Sequence, residues 1–319
     1  MNIKNVAFGG ATKMGEGMTR EAILIASLGR SGTTWLGNIL SGLNGYKMLN
    51  EPLRPEDPTE YEARYRHRLY VKENDPAPRL REKLEKAFTG QVPQSYKWDF
   101  RSEGRLGMLL EHIWNRKVVV KSTRSLRLLP WIHRTFDLKG TVILIRHPCA
   151  VISSMLKSGG WGYDRLEQNG VSPFDQAVGE QAPASVAERL RSDIEGTTTN
   201  PEILAHMWAL DYHVALNHHE NTEGKFSHLV TYEHLLTEGQ RCVRGLCAFL
   251  GVEPNEGVFQ QLNRASRTAS DQLSTEDTSR QLRKWKEHLD EDTVERVLSI
   301  VHSYDLDIYG PDPMPALQR

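Results

Sequence analysis

Short apolar runs recur along the first half of the chain, each bounded by polar or turn residues: "AILIAS" at 22–27, "YKML" at 46–49, "KVVVK" at 117–121 and "TVILIR" at 141–146. Runs this short and this continuous predict strands buried on both faces. Between them the spacing changes. Trp35, Leu36, Ile39, Leu40 and Leu43 recur at helical intervals with Gly45 as a stop, and helical patterns also fill 124–136 and 149–157. "FSHLVTYE" reads as a last strand, before a helix whose apolar positions Leu236, Val243, Leu246, Phe249 and Leu250 end at Gly251. Strands alternating with helices predict an α/β fold, a doubly wound parallel sheet with helices on both faces and right-handed crossovers. Ligands in such a sheet bind beyond the carboxyl ends of the strands.

Two stretches break the alternation: 53–105, polar and rich in Arg and Tyr, and 158–200, with Gly, Pro and Thr. Neither carries a core of its own, so both are expected to be helical lid insertions. The predicted organisation is one domain over 21–310, with tails at 1–20 and 311–319. A chain of 319 residues is long enough to bury a proper core.

Charge narrows the partners. With 40 basic and 41 acidic residues the chain lacks the overall positive field that grips nucleic acid, so any anion site must be local. No uncharged apolar run approaches the ~18 to 20 residues that cross a bilayer, and the first residues lack an apolar leader. These features predict a soluble, cytoplasmic protein without a membrane span. Three cysteines, Cys149, Cys242 and Cys247, lack paired spacing and predict reduced thiols, the last two in core packing. Twelve histidines include "NHHE" at 217–220 and His206 with His213, but no HExxH or Cys/His spacing appears. Their helix is accounted for by Ile203, Met207, Leu210 and Val214 on one face, so no metal site is predicted.

The chemistry concentrates in the turn after the first strand, "SLGRSGTTW". Successive backbone N–H groups from Gly29 to Thr34, at the positive end of a helix, make an anion site. Gly29 and Gly32 admit close backbone approach, Ser31, Thr33 and Thr34 offer hydroxyls, and Arg30 supplies fixed charge. An ATP loop of the GxxxxGK[ST] kind is absent. The neighbouring strands "VVVK" and "VILIR" end in cations rather than a Mg²⁺-holding carboxylate, which disfavours a metal-bound triphosphate.

At these residues the chain resembles the sulfotransferases that use 3′-phosphoadenylyl sulfate (PAPS). "GRSGTTW" resembles their 5′-phosphosulfate loop. "VILIRHPCAVISSM" resembles their 3′-phosphate motif, in which an Arg closes a strand and a Ser stands eight residues later, here Arg146 and Ser154. The interval from Arg30 to Glu51 in "LNEPLRP" is that of tyrosylprotein and carbohydrate 6-O-sulfotransferases, and a Pro after the Glu marks the carbohydrate group. "VTYEHLL" is similar to the strand carrying a nucleotide-side Tyr, here Tyr232. "SDQ…KW", from Ser270 through Lys284 and Trp285, resembles the loop that closes over the donor.

Three positions depart from the pattern. "KSTRSLRLLP" lacks the catalytic His that phenol and steroid enzymes carry there, Ala269 replaces the first of two serines, and His147 stands where relatives have Asp or Asn. The resemblance implies a P-loop-like sulfotransferase fold, PAPS as donor, adenosine 3′,5′-bisphosphate (PAP) as product and no metal. It implies Arg30, Ser31, Gly32, Thr33, Thr34, Trp35, Arg146, Ser154, Tyr232, Ser270 and Lys284 as nucleotide-binding residues. Glu51 would be the base, with Arg30 and Lys121 stabilising the leaving oxygen. The implied acceptor is a hydroxyl on a carbohydrate, glycoside or other small natural product. Two rivals stand beside this reading: a P-loop small-molecule kinase using ATP-Mg²⁺, and a noncatalytic module that binds PAP. "EARYRHRLY" at 62–70 reads equally as an acceptor lid or as a basic solvated helix.

Overall fold

The computed structural model describes residues 19–54, 69–92, 97–100, 104–158, 184–197, 199–264 and 275–316. Within them six strands, β1 (Ile23–Ser27), β2 (Tyr46–Asn50), β3 (Lys97–Asp99), β4 (Lys117–Ser122), β5 (Gly140–Ile145) and β6 (Ser227–Thr231), form one sheet in the order β3-β2-β4-β1-β5-β6. All pairs are parallel except β2 with β3, which closes one edge antiparallel.

The continuous apolar runs are explained by two cores, one on each face. Successive strand residues point to opposite faces. Leu24 and Ala26 enter one core with Val118, Val120, Ile143 and Ile145, while Ile23 and Ile25 enter the other with Val119, Val142 and Leu144.

The helices are α1 (Thr33–Ser41), α2 (Pro78–Thr89), α3 (Gly104–Trp114), α4 (Leu129–Thr135), α5 (Pro148–Lys157), α6 (Ala184–Glu195), α7 (Asn200–Asn221), α8 (Tyr232–Thr237), α9 (Gly239–Phe249), α10 (Glu256–Asn263), α11 (Thr275–Arg283) and α12 (Glu291–His302). Helices α1, α8, α9 and α10 bury Leu36, Leu235, Leu246 and Val258 on one face of the sheet. Helices α4, α5, α7 and α12 bury Trp131, Ile152, Trp208 and Val301 on the other. Both faces are covered, as a doubly wound sheet requires.

Several elements differ from the sequence reading. Strand β3 lies inside the stretch expected to be a lid, and α2 from the same stretch sends Leu84, Ala87 and Phe88 into the core. The last strand stops at Thr231, whose hydroxyl accepts the His234 N–H at 3.2 Å and caps α8. Tyr232 therefore opens a helix rather than ending a strand. The single helix expected to follow is two, α8 and α9, divided at Glu238.

Helix α7 buries more than the one face its spacing predicts: all of 203–216 is buried, His206, Asp211 and His213 included. A capping box fixes its start, with Thr199 and Glu202 bonding each other's backbone. The stretch 311–316, read as part of a tail, folds back so that the Ala316 N–H donates to the Ile308 carbonyl at 2.7 Å. Among the described residues no helix is long and apolar enough to cross a membrane.

Candidate active site

The loop after β1 is fastened from beneath before it reaches solvent. The Leu28 N–H donates to the Tyr212 hydroxyl at 3.3 Å, and both that hydroxyl and Ser27 Oγ donate to the Leu144 carbonyl, at 2.8 and 2.7 Å. Burial pushes the Tyr212 hydroxyl up to about 12, so it stays neutral and keeps donating. Gly32 then turns the chain into α1 at φ 91°, and a Cβ there would lie 2.6 Å from the Tyr232 ring. No side chain caps α1, so its first amides are left for a ligand or water.

Arg30 joins this loop to the β5–α5 corner. Its Nε donates to Ser154 Oγ at 2.9 Å, and its carbonyl accepts Arg146 Nη1 at 3.0 Å. The Arg146 guanidinium lies over the Tyr232 ring, 4.2 Å from its centroid, and Tyr232 meets Trp35 edge-on at 6.0 Å. From below, Trp208 Nε1 of α7 donates to the Arg146 carbonyl at 3.2 Å.

The other wall comes from β2 and β4. Glu51 continues the β2–β4 ladder by donating its N–H to the Lys121 carbonyl at 2.8 Å. Both carboxylate oxygens accept the Thr123 N–H, at 3.2 and 3.0 Å. Lys121 Nζ lies 3.2 Å from Glu51 Oε1 and donates to Asn50 Oδ1 at 2.9 Å. The side chains of Lys121 and Glu51 are 9% and 17% exposed, so their attraction is screened less than that of a surface pair. Arg30 and Glu51 also share positive φ, 71° and 52°. Left-handed backbone at a non-glycine residue costs about 1 to 3 kcal/mol and collects at functional sites.

These walls enclose a cleft of about 730 Å³. It is lined by Arg30, Gly32, Thr33, Thr34 and Trp35 from the loop and α1, by Glu51 and Lys121, and by Arg146, Ser154, Tyr232 and Lys284. Ser31 departs from expectation: its side chain is fully buried on the Tyr212 side of the turn, so its hydroxyl does not line the cleft. Ser270 and Ala269, together with 62–68 of the Arg- and Tyr-rich stretch, lie outside the described residues.

Sequence reasoning missed four further titratable lining groups, Arg54, Arg124, Lys157 and His288. Among the described residues seven Lys and Arg side chains line the cleft (Arg30, Arg54, Lys121, Arg124, Arg146, Lys157 and Lys284), against one carboxylate, Glu51. A chain of net charge −1 thus carries a strong local positive field at this cleft.

It also missed the support behind Arg146. Glu233 accepts the His147 N–H at 3.0 Å and the Tyr309 hydroxyl at 2.7 Å, and burial raises its carboxyl above the usual range. His147 Nδ1 accepts the Cys149 N–H at 3.2 Å, which places the ring hydrogen on Nε2, where it donates to the Gly310 carbonyl at 3.0 Å. The ring stacks on Trp285, centroids 4.6 Å apart, and so anchors the turn that carries Lys284. Cys149 sits at a helix N-terminus, yet burial pushes its thiol up to about 12. It is no nucleophile at neutral pH.

Buried neutral histidines predict acid sensitivity. Burial lowers His133 to about 3, and His147 and His206 to about 4. Unfolded, each takes a proton near about 6.5. Between those values the unfolded chain binds more protons, so stability present above about 6.5 is lost as pH falls, by about 1.4 kcal/mol per pH unit for each histidine. Glu233, with its pKa raised, works in the opposite direction just above its ordinary range. The expected net effect is a loss of stability as pH falls below about 6, at most about 4 kcal/mol per pH unit from the three histidines and less by what Glu233 returns. Urea midpoints at pH 7, 6 and 5 check it, and a flat series contradicts it.

No protein-family profile and no curated protein matches the chain. Among solved structures, the sulfotransferase domain from the Synechococcus PCC 7002 olefin synthase is 17% identical, covering 90% of this chain and 95% of that one at a TM-score of 0.47. The sulfotransferase domain from the curacin biosynthetic pathway is 18% identical, covering 89% and 96%, also at 0.47. A retinol dehydratase crystallised with retinol and PAP is 14% identical, covering 95% and 88% at 0.43.

Proposed function

We propose that the protein transfers a sulfuryl group from PAPS to a hydroxyl of a small acceptor such as a carbohydrate, glycoside or other natural product, with Glu51 as base and PAP as product. The observation that carries this reading is the 3.0 Å bond from Arg146 Nη1 to the Arg30 carbonyl. That bond joins the loop after β1 to the β5–α5 corner on one crevice, with a carboxylate on the adjoining wall, which supports two anion cradles for a nucleotide phosphorylated at both 3′ and 5′.

In this reading Arg30 and the amides of 31–34 take the phosphosulfate, while Arg146 and Ser154, joined by Lys157, take the 3′-phosphate. Each charge-assisted hydrogen bond contributes about 1.5 to 3 kcal/mol. Arg30 already reaches Ser154, so its guanidinium is within range of either phosphate. Tyr232, Trp35 and Lys284 form the remaining nucleotide wall.

Sulfuryl transfer asks for alignment and charge neutralisation more than for covalent help. Glu51 takes the acceptor proton as the acceptor oxygen bonds to sulfur. The sulfur–oxygen bond to the 5′-phosphate breaks, its electron pair leaves with PAP, and Arg30 and Lys121 offset the charge that appears there. A base so placed contributes about 10² to 10⁴ in rate.

Calorimetry tests the donor. PAP is expected to bind at least about tenfold more tightly than ATP-Mg²⁺, and the reverse order favours a kinase. Labelled PAPS over a panel of sugars, phenols, lipids and peptides tests turnover. PAP binding with no transfer to any of them favours a noncatalytic module. Arg146→Ala is expected to weaken PAP about tenfold more than it weakens 5′-AMP, and equal losses would take Arg146 off the 3′-phosphate.

A further inference from the structure

We propose that the outward face of α3 is an interface between two copies of this chain, which pair about a two-fold axis through Leu106, Leu109, Ile113 and Trp114.

Helix α3 is turned the wrong way round for a surface helix. Its polar residues face inward: Glu111 is buried, and Lys47 of β2 fastens His112 to the sheet, its Nζ donating to the His112 carbonyl at 3.0 Å and lying 3.2 Å from the ring Nδ1. Trp98 of β3 meets the His112 ring edge-on at 5.2 Å, and Lys47 Nζ stands 4.6 Å from the centre of the Trp98 ring. With that side held against the sheet edge, the apolar side looks out. Leu106 is 70% exposed, Leu109 54%, Ile113 53% and Trp114 71%. At about 3.6 residues per turn these four fall in one stripe with half-buried Leu110 between them. A surface helix ordinarily packs such a stripe against its own core.

Spacing and area point to a second copy as the cover. The steps from Leu106 to Leu109 and on to Ile113, three residues and then four, are those of a seam between two helices. A two-fold axis through the middle of the stripe makes it complementary to itself, since each residue then meets the residue that meets it. At their exposures the four residues present roughly 500 Å² per copy, near the top of what a monomer leaves bare. Pairing removes about 1,000 Å² in total, the size a specific interface must reach.

Charge argues against a lipid surface. A helix lying on a membrane carries cations on its polar side. Here that side is Glu111 and His112, turned to the sheet, and Lys117 just past the helix is paired with Glu21 at 2.6 Å. A second apolar helix covers the stripe without needing cations. None of the four stripe residues lines the cleft, so each copy keeps its own site open.

Sedimentation equilibrium of the full chain from about 1 to 100 µM reads the pairing directly. The expected result is a reversible equilibrium between 36.3 kDa and twice that mass, with the dimer dominant above about 10 µM. Leu109→Glu with Ile113→Glu sets like charges face to face across the axis and should raise the dissociation constant at least about 100-fold, with the far-ultraviolet circular dichroism unchanged. Leu109→Met with Ile113→Leu should keep the dimer. A second measurement stands apart from the glutamates: Leu109→Cys, near the middle of the stripe, should form a disulfide between copies in air, whereas the wild type, with only Cys149, Cys242 and Cys247, should not. A wild type that stays monomeric throughout overturns the proposal, as does a dimer that survives both glutamates or a Leu109→Cys chain that fails to cross-link. Binding of the monomer to phosphatidylcholine–phosphatidylserine vesicles, lost in the double glutamate variant, would overturn it by giving the face to a lipid surface.

Discussion

Glu51→Gln is expected to lower sulfuryl transfer by about 10² to 10⁴ while leaving PAP affinity within about twofold. The amide keeps the shape of the carboxylate, and its oxygen can still accept the Thr123 N–H. What it loses is the ability to take a proton and the ion pair with Lys121. PAP affinity is insulated because Glu51 stands on the β2–β4 wall, across β1 from Arg146 and Ser154. Single-turnover rates with labelled PAPS, beside calorimetry with PAP, read the two effects separately. Unchanged turnover would remove Glu51 as base. A large loss of PAP affinity would instead mean that the Glu51–Lys121 pair organises the nucleotide wall.

What the linear pattern reveals depends on whether its physical cause is local. Strands β1, β2, β4 and β5 are readable because burial on both faces leaves continuous apolar runs. Strand β3 is three residues of "KWD" that pack Trp98 against the core, too short a run for hydropathy to mark as a strand. Tyr232 reads as strand because "HLVTY" is apolar and β-branched, yet one hydroxyl–amide bond from Thr231 ends the strand first. The all-round burial of α7 is hidden because His206, Asp211 and His213 look like a solvated face until Tyr304 and Arg127 are packed against them.

The same distinction governs the site. The anion loop is contiguous, so its residues appear together in the sequence. Ser31 shows the limit of that: adjacent side chains in a tight turn leave on opposite sides, and composition does not say which faces the cleft. Arg54, Arg124 and Lys157 are invisible for a different reason, since they meet only because β2 lies beside β4 and β5 lies beside β1. Glu233 is a charge among apolar neighbours, and its purpose emerges once His147 and Tyr309 reach it across the fold.

Gly32→Ala is the substitution expected to damage the nucleotide site most, with PAP affinity falling at least about 100-fold. Two causes add. The residue sits at φ 91°, where a Cβ is strained whatever the surroundings, and that Cβ would lie 2.6 Å from the Tyr232 ring. The ring cannot yield freely, because Arg146 lies on its face and Trp35 meets its edge. Displacing it moves the guanidinium assigned to the 3′-phosphate and bends the amides assigned to the 5′ group. A double-mutant cycle separates the causes, since Tyr232→Ala removes the clash and leaves the backbone strain. Gly32→Ala should therefore cost clearly less PAP affinity in the Tyr232→Ala background than in the wild type. Equal costs in the two backgrounds would mean that the ring does not press on Gly32, and the contact linking the two cradles would lose its role.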